Sequence, residues 1–178
     1  SAASDVYKRQ PLEGLVMGTR SGDIDPAIVE FICNKEGKSV SEVLTMLNKK
    51  SGVLGISGLS NDYRDLLEGE ENGNQDAHNA LDVLVYRIIK YIGAYHVAIG
   101  GADAIALTAG AGENNFVVRG RIVEGLSALG IKLNEAANTV RGEELLLSTP
   151  DSTIPVWVVP TNEEPVSYTH LRAHETAA

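Results

Sequence analysis

Residues 105–115 read IALTAGAGENN. The apolar run Ile105–Leu107 gives way to glycines at 110 and 112, and then to polar residues that open a helical pattern. A strand that ends in glycines before a helix lets the backbone come close to another group. At the carboxyl end of a strand, with helix amides nearby, that group is often an anion such as a phosphate. The stretch is not a Walker A loop, because it has no Gly-Lys-Ser/Thr ending and no lysine. Nor does it match the Gly-x-Gly-x-x-Gly dinucleotide spacing. An ordinary tight turn with positive φ at glycine satisfies the same spacing, so both readings stand at this point.

The surroundings make the chain α/β. Residues 75–99 place Leu81, Leu84, Val85, Ile88, Ile89, Ile92 and Ile99 at helical spacing, which predicts a long helix with a buried stripe stopped by Gly100-Gly101. Ala104–Leu107 predicts a buried strand, Phe116–Leu129 a helix and Ile154–Val159 a second strand. Strand, helix and strand at long intervals predict parallel neighbours. Two strands are too few for a complete sheet, so an incomplete central sheet is expected.

Toward the amino end, Asp25-Pro26 caps a helix over Ala27–Asn34 that Gly37 ends, with Cys33 expected in the core. Ser39 or Ser41 caps another helix to about Lys50, with Val43, Leu44 and Leu47 on one face. Ser51–Ser60 (SGVLGISGLS) carries Gly or Ser at nearly every other place and reads as a loop. Asp62–Gly69 predicts a short helix, EGEENGNQD a solvated turn, and His78 a solvated position on the long helix.

Composition bounds the function. The chain has 178 residues, a formal charge of −9, 43% hydrophobic and 22% charged residues. That is ordinary globular composition. The acidic balance argues against a broad nucleic-acid surface, which needs clustered Lys and Arg. No apolar run approaches the roughly 18 residues of a membrane span and no signal peptide opens the chain, so a cytoplasmic location is expected. Cys33 is the single cysteine, which excludes an intrachain disulfide and a cysteine metal cluster.

Both ends read as foreign. Asp5–Gln10 can be encoded by GAT GTG TAT AAG AGA CAG, and the opposite strand, one base out of phase, encodes Val166–His170. Residues 1–10 and 165–178 are therefore expected to be adaptor-derived tails, leaving 11–164 as the natural segment.

Within 11–164 a few residues suit chemistry. Arg20 lies among glycines in MGTRSG, where a guanidinium can meet carboxylate or phosphate in a forked geometry, or simply form a surface ion pair. Asp62-Tyr63-Arg64 puts acid, ring and cation together at a helix start. That trio could flank a nucleoside, with Arg64 stacked on the base and Asp62 bonded to a hydroxyl, or it could be a plain capped helix. Glu163 and Glu164 follow the second strand, where a carboxylate could hold Mg²⁺ or serve as an ordinary helix-start acid.

Four longer stretches, PLEGLVMGTRSGDIDPAIV (11–29), NKKSGVLGISGLSNDYRDL (48–66), GADAIALTAGAGENN (101–115) and PTNEE (160–164), resemble the acetate kinase family in order and spacing. The resemblance covers essentially all of 11–164 and corresponds to most of the C-terminal half of a family chain. It implies a fragment of an actin-like, ribonuclease-H-like ATPase domain, with the active site in a cleft between two domains. It implies reversible phosphoryl transfer between ATP and acetate with Mg²⁺, and a homodimer for the complete protein. By resemblance Arg20 is the catalytic arginine near the transferring phosphoryl group. Asp62, Tyr63 and Arg64 match the nucleoside pocket, where Tyr63 replaces a common Phe but keeps the ring. Gly110, Gly112 and Asn114 match the nucleotide loop, with Ala111 in place of a frequent Ile, and Glu163 matches the Mg²⁺-associated glutamate. The family's acyl-pocket arginine, catalytic aspartate and histidine, and HLGNGSS-like phosphate loop have no counterpart in these residues. The chain alone is therefore expected to be inactive. Other readings remain open, namely a propionate- or butyrate-type kinase and a non-catalytic ATP-binding fragment.

Overall fold

The computed structural model describes residues 12–140 and 142–160. They are α/β and form two compact units that divide between Gly101 and Ala102.

The first unit is helical. α1 (Ala27–Glu36) follows Asp25, whose carboxylate accepts from the Ala27 amide, and ends at Gly37 in the left-handed region. α2 (Val40–Lys49) begins at Ser39 in a capping box. The Glu42 amide donates to the Ser39 hydroxyl, and the Ser39 amide donates to the Glu42 carboxylate. Such a box satisfies two amides that a helix start otherwise leaves open. α3 (Gly52–Ser57) is followed by α4 (Tyr63–Glu71) and the 24-residue α5 (Gln75–Ala98), which Asn74 caps by accepting from the Asp76 and Ala77 amides. Val43 and Leu47 of α2, Val53 of α3, Leu66 of α4 and Leu81, Leu84 and Val85 of α5 form the core.

Several expectations need correction here. Ser51–Ser60 is not a loop, because Gly52–Ser57 is helical. The acidic stretch is not all turn, since α4 runs through Glu71. Leu44 does not join Val43 and Leu47 inside but is exposed. Cys33 is only half-buried, and α1 buries no residue. The stripe on α5 goes under only as far as Val85; Ile88, Ile89 and Ile92 are half-buried and Ile99 is exposed. His78 is not merely solvated, for its Nδ1 lies 2.6 Å from Glu70 Oε1 and its Nε2 lies 3.1 Å from Asp82 Oδ2.

The second unit holds the sheet. β1 (Ile105–Leu107) leads into α6 (Ala109–Asn114) and α7 (Phe116–Gly125), and a 3₁₀ turn over Ser127–Leu129 follows in place of the predicted helical continuation. β2 (Leu145–Leu146) and β3 (Val156–Val158) complete a sheet of order β1-β3-β2. β1 and β3 are parallel, with Ile105 opposite Val156 and Leu107 opposite Val158, as the spacing predicted. β2 runs antiparallel to β3. Leu107, Val156 and Val158 of the sheet and Val118, Ile122 and Val123 of α7 are among the buried apolar residues of this unit.

Arg119 of α7 is fully buried as well. Its guanidinium donates to Glu113 O (2.8 Å), Asn138 Oδ1 (2.8 Å) and Asn138 O (2.5 Å), and also to Val140 O. Asn138 in turn donates to Phe116 O at 2.9 Å. A buried cation is tolerable only when its N–H groups are matched in this way. Arg119 thus fixes the end of α6 and the 3₁₀ turn Ala137–Thr139 to the start of α7. Arg119→Ala is expected to destabilise the unit by about 3 kcal/mol or more, since it removes several bonds at once and leaves buried carbonyls open. Trp157, the only tryptophan of the chain, lies on β3 and reports the loss by fluorescence during guanidinium denaturation.

Candidate functional site

Arg20 lies in the loop 14–23, which is held almost entirely by backbone. The Met17 amide donates to Arg20 O at 3.1 Å and closes a tight turn. Three carbonyls of the loop face the start of α3: Ser51 N donates to Thr19 O (2.9 Å), Val53 N to Met17 O (2.9 Å) and Leu54 N to Gly18 O (3.0 Å). Ser51 makes no side-chain cap for α3, so the loop itself is the cap. Gly52 makes this possible. It sits at φ +63°, and a Cβ there would lie 2.1 Å from Met17 O and 2.8 Å from Arg20 O. The Arg20 side chain is exposed, and among the described residues no ion pair engages it. An arginine on a fixed backbone with an uncommitted guanidinium is suited to meeting an anion.

The Asp62 trio stands beside this loop. Gly18 faces Asn61, the residue preceding the α4 cap: a Cβ at position 18 would lie 3.4 Å from the Asn61 Cβ and 3.4 Å from its carbonyl oxygen. Asp62 caps α4 by accepting from the Arg64 amide at 2.9 Å. Its carboxylate also takes Arg64 Nε and Nη2, the latter at 2.5 Å, so the pair is forked on itself. These bonds from Arg64 pull the Asp62 carboxyl down to about 2. Tyr63 is half-buried, and burial raises its phenol above the usual tyrosine range. The structure therefore brings Arg20's loop and the trio together in one unit. The Arg64 guanidinium is on Asp62, not free as stacking on a base would require.

Gly112 and Asn114 belong to the second unit. The predicted glycine turn is in fact α6, and its left-handed residue is Ala109 at φ +58°, not Gly112. An alanine in that region costs roughly 1–2 kcal/mol. Gly112 serves close approach instead, because a Cβ would fall 3.0 Å from Leu107 C at the end of β1. Gly110 is the second residue of α6, and Asn114 is exposed at its last position. Asn115, which sequence reasoning passed over, caps α7 by accepting from Val118 N at 3.0 Å. Glu163 and Glu164 lie outside the described residues. Among the described residues no group of three His, Cys, Asp or Glu side chains could hold a metal ion by itself.

Two measurements check this geometry. Gly52→Ala is expected to unseat the loop from α3, so the Val53 and Leu54 amides should lose most of their hydrogen-exchange protection; unchanged protection would show that the cap is not what holds the loop. The Asp62 carboxyl is held below its unfolded value of 3.8. Its fork and cap are thus fully present above about pH 4 and are lost as pH falls toward 2. Carbon NMR of the Asp62 carboxyl should show an inflection near 2 in the native chain, moving up toward the ordinary range in Arg64→Ala.

Comparison with known proteins bears on all of these residues. The model of the acetokinase family matches residues 9–168. An acetate kinase of Methanosarcina thermophila is 54% identical over 154 residues, which is 86% of this chain but 38% of that protein. The structure is similar to the crystal structure of Porphyromonas gingivalis acetate kinase, with a TM-score of 0.82 and 44% identity over 85% of this chain and 38% of the other. A propionate kinase from Francisella tularensis gives a TM-score of 0.80 at 38% identity, covering 86% of this chain and 39% of that one. The chain thus spans about two-fifths of the length of the proteins it matches, and it belongs to the acetokinase family.

Proposed function

We propose that the protein to which this segment belongs transfers a phosphoryl group reversibly between ATP and acetate, giving ADP and acetyl phosphate. The observation that carries this reading is Arg20, an uncommitted guanidinium on a loop whose backbone is fixed by α3. Phosphoryl transfer asks mainly for positioning and charge neutralisation, and both are within reach of such a residue. Arg20 is read as the catalytic residue that meets the moving phosphoryl group. In the first unit, Tyr63 and Arg64, released from Asp62, are read as flanking a nucleoside, and in the second unit Gly110, Gly112 and Asn114 are read by the same resemblance as nucleotide-loop residues.

Mg²⁺ fits the donors this reading assigns. The ion commonly keeps several waters and is bound by one or two carboxylates plus substrate phosphates, so a protein-only cage is not needed and Glu163 would suffice. Bound there, it would neutralise phosphate charge during transfer. A homodimer and a cytoplasmic location belong to the same reading. Propionate as the acid is the second reading, supported by the similarity to a propionate kinase.

A hydroxamate assay for acyl phosphate on the complete protein tests the activity, and no product from acetate or any other short acid would sink it. For the chain of 178 residues alone, ADP binding without acyl phosphate formation is expected. Arg64→Ala should weaken that binding about tenfold, the loss of one stacking and charge contact of about 1.4 kcal/mol. Equal ADP affinity in the variant would remove Arg64 from the pocket.

A further inference from the structure

Besides α3, the loop that carries Arg20 is attached to α2, where Ser21 N donates to Leu47 O at 3.0 Å and the Thr19 hydroxyl to Asn48 O at 3.2 Å, and to α5. Asp23 closes its base: the Gly14 amide donates to Asp23 Oδ1 at 2.6 Å, while the Asp23 amide donates to Gly14 O at 3.0 Å. Asp23 Oδ2 accepts from the Tyr91 hydroxyl of α5 and lies 3.5 Å from Arg87 Nη2, one turn earlier on the same helix. Arg87 Nη2 also lies 3.4 Å from the Asp23 carbonyl. One carboxylate therefore zips the two ends of the loop and pins them to a helix 64 to 68 residues further along the chain. Behind the loop, Val16, Ser21, Asp23, Lys50, Ser51 and Arg87 border an open cleft of about 440 Å³.

We infer that Asp23, gripped by Tyr91 and Arg87, is the positioning residue for Arg20. It fixes the orientation in which the guanidinium is presented to a phosphoryl anion. The proposal rests on Arg20 meeting such an anion, as above. Its physical content is preorganisation: with both ends of the loop fixed, little backbone freedom remains to be lost when the anion arrives. α3 holds the middle of the loop through three carbonyls, α2 holds Thr19 and Ser21 through the Asn48 and Leu47 carbonyls, and α5 holds the loop's ends through one carboxylate, so the α5 attachment can be removed while the other two stay. The carboxyl of Asp23 is lowered from its ordinary value, chiefly by the Tyr91 hydroxyl and then by the Gly14 amide, with Arg87 and Lys90 of α5 adding positive charge. The same bond raises the Tyr91 phenol.

The test uses the chain of 178 residues with inorganic phosphate as the probe. Phosphate is titrated against the Arg20 Nε–Hε resonance, identified by its disappearance in Arg20→Lys. Tyr91→Phe keeps the ring and removes only the hydroxyl, and Asp23→Asn removes the charge. Each is expected to weaken phosphate binding at Arg20 about 3- to 10-fold, the size of one ordinary hydrogen bond, because the loss acts on the loop's orientation and not directly on the anion. Gly14 and Asp23 amides should exchange faster, while Ser21, held by α2, and Val53 and Leu54 on α3 keep their protection. In Asp23→Asn the Tyr91 phenol should titrate closer to the ordinary tyrosine value, seen in the ¹³Cζ shift. Phosphate affinity within twofold of native in both variants, with the Arg20 response intact, would overturn the positioning role and leave the anion-binding reading standing. No Arg20 response to phosphate in the native chain would overturn that reading and this proposal with it. Loss of Val53 and Leu54 protection in both variants would reduce Asp23 to a merely structural residue and equally overturn the proposal.

Discussion

The first turn of α3 has no side chain to cap it, and that vacancy organises the first unit. Helix starts leave backbone amides open, and a serine at the cap position is the usual remedy. Here Ser51 is turned elsewhere, its hydroxyl donating to Met46 O at 3.1 Å. Carbonyls from residues 17–19 take the amides instead. A loop that would otherwise be a mobile, glycine-rich connection becomes part of the helix's own hydrogen bonding. The arrangement needs glycine at 52 twice over, once for the left-handed backbone and once because no Cβ fits against Met17 O. Packing agrees with it: Val53, on the helix so capped, is fully buried, and Gly18 faces Asn61. The candidate phosphoryl-binding arginine and the candidate nucleoside trio are neighbours because one helix start is capped at a distance.

The two units treat charge in opposite ways. In the first, Arg64 and Asp62 satisfy each other in the open, where such a pair contributes little to stability and separates readily. In the second, Arg119 is buried among carbonyls and is not free to leave. The exposed pair can be exchanged for a ligand at small cost, and the buried one can only hold backbone in place. That difference explains why Arg64 is a reasonable binding residue and Arg119 is not. It also places the strain at Ala109 in context, since Arg119 bonds Glu113 O and anchors the far end of the same short helix.

Much of the fold was legible, and the misses share a cause. The long helix, the two apolar strand segments and the caps at Ser39 and Asp62 are local, because the residues that determine them lie within a few positions of one another, and the parallel pairing of the strands follows from the long crossover between them. α3 reads as a loop in the sequence because its cap lies some thirty residues upstream, and the glycine that marks it looks like turn chemistry. β2 is two residues long within LLLSTP, too short for strand alternation to register. Burial was overestimated on α1 and on the carboxyl half of α5, where period alone says which residues share a face but not whether anything covers it. Arg20 and the trio could be named from the sequence as residue types suited to chemistry. That they adjoin is not visible in the sequence, because the approach runs past Gly18 and Asn61, neither of which has a side chain that advertises a role.

Glycine at 112 illustrates how a correct residue can be chosen for an incomplete reason. Sequence reading offered two uses for the glycines after β1, a positive φ or an approaching ligand. Gly112 shows a third, since its missing Cβ lets α6 fold back onto Leu107. The positive φ falls on Ala109, where glycine would be the easier residue. A sequence that keeps alanine at the strained position and glycine at the crowded one ranks close packing of α6 on the strand above relaxed backbone. A rigid, slightly strained turn at a strand's carboxyl end loses little freedom when a ligand binds. The same logic governs the Arg20 loop, which reaches rigidity through bonds to α3 and α5 in place of strain.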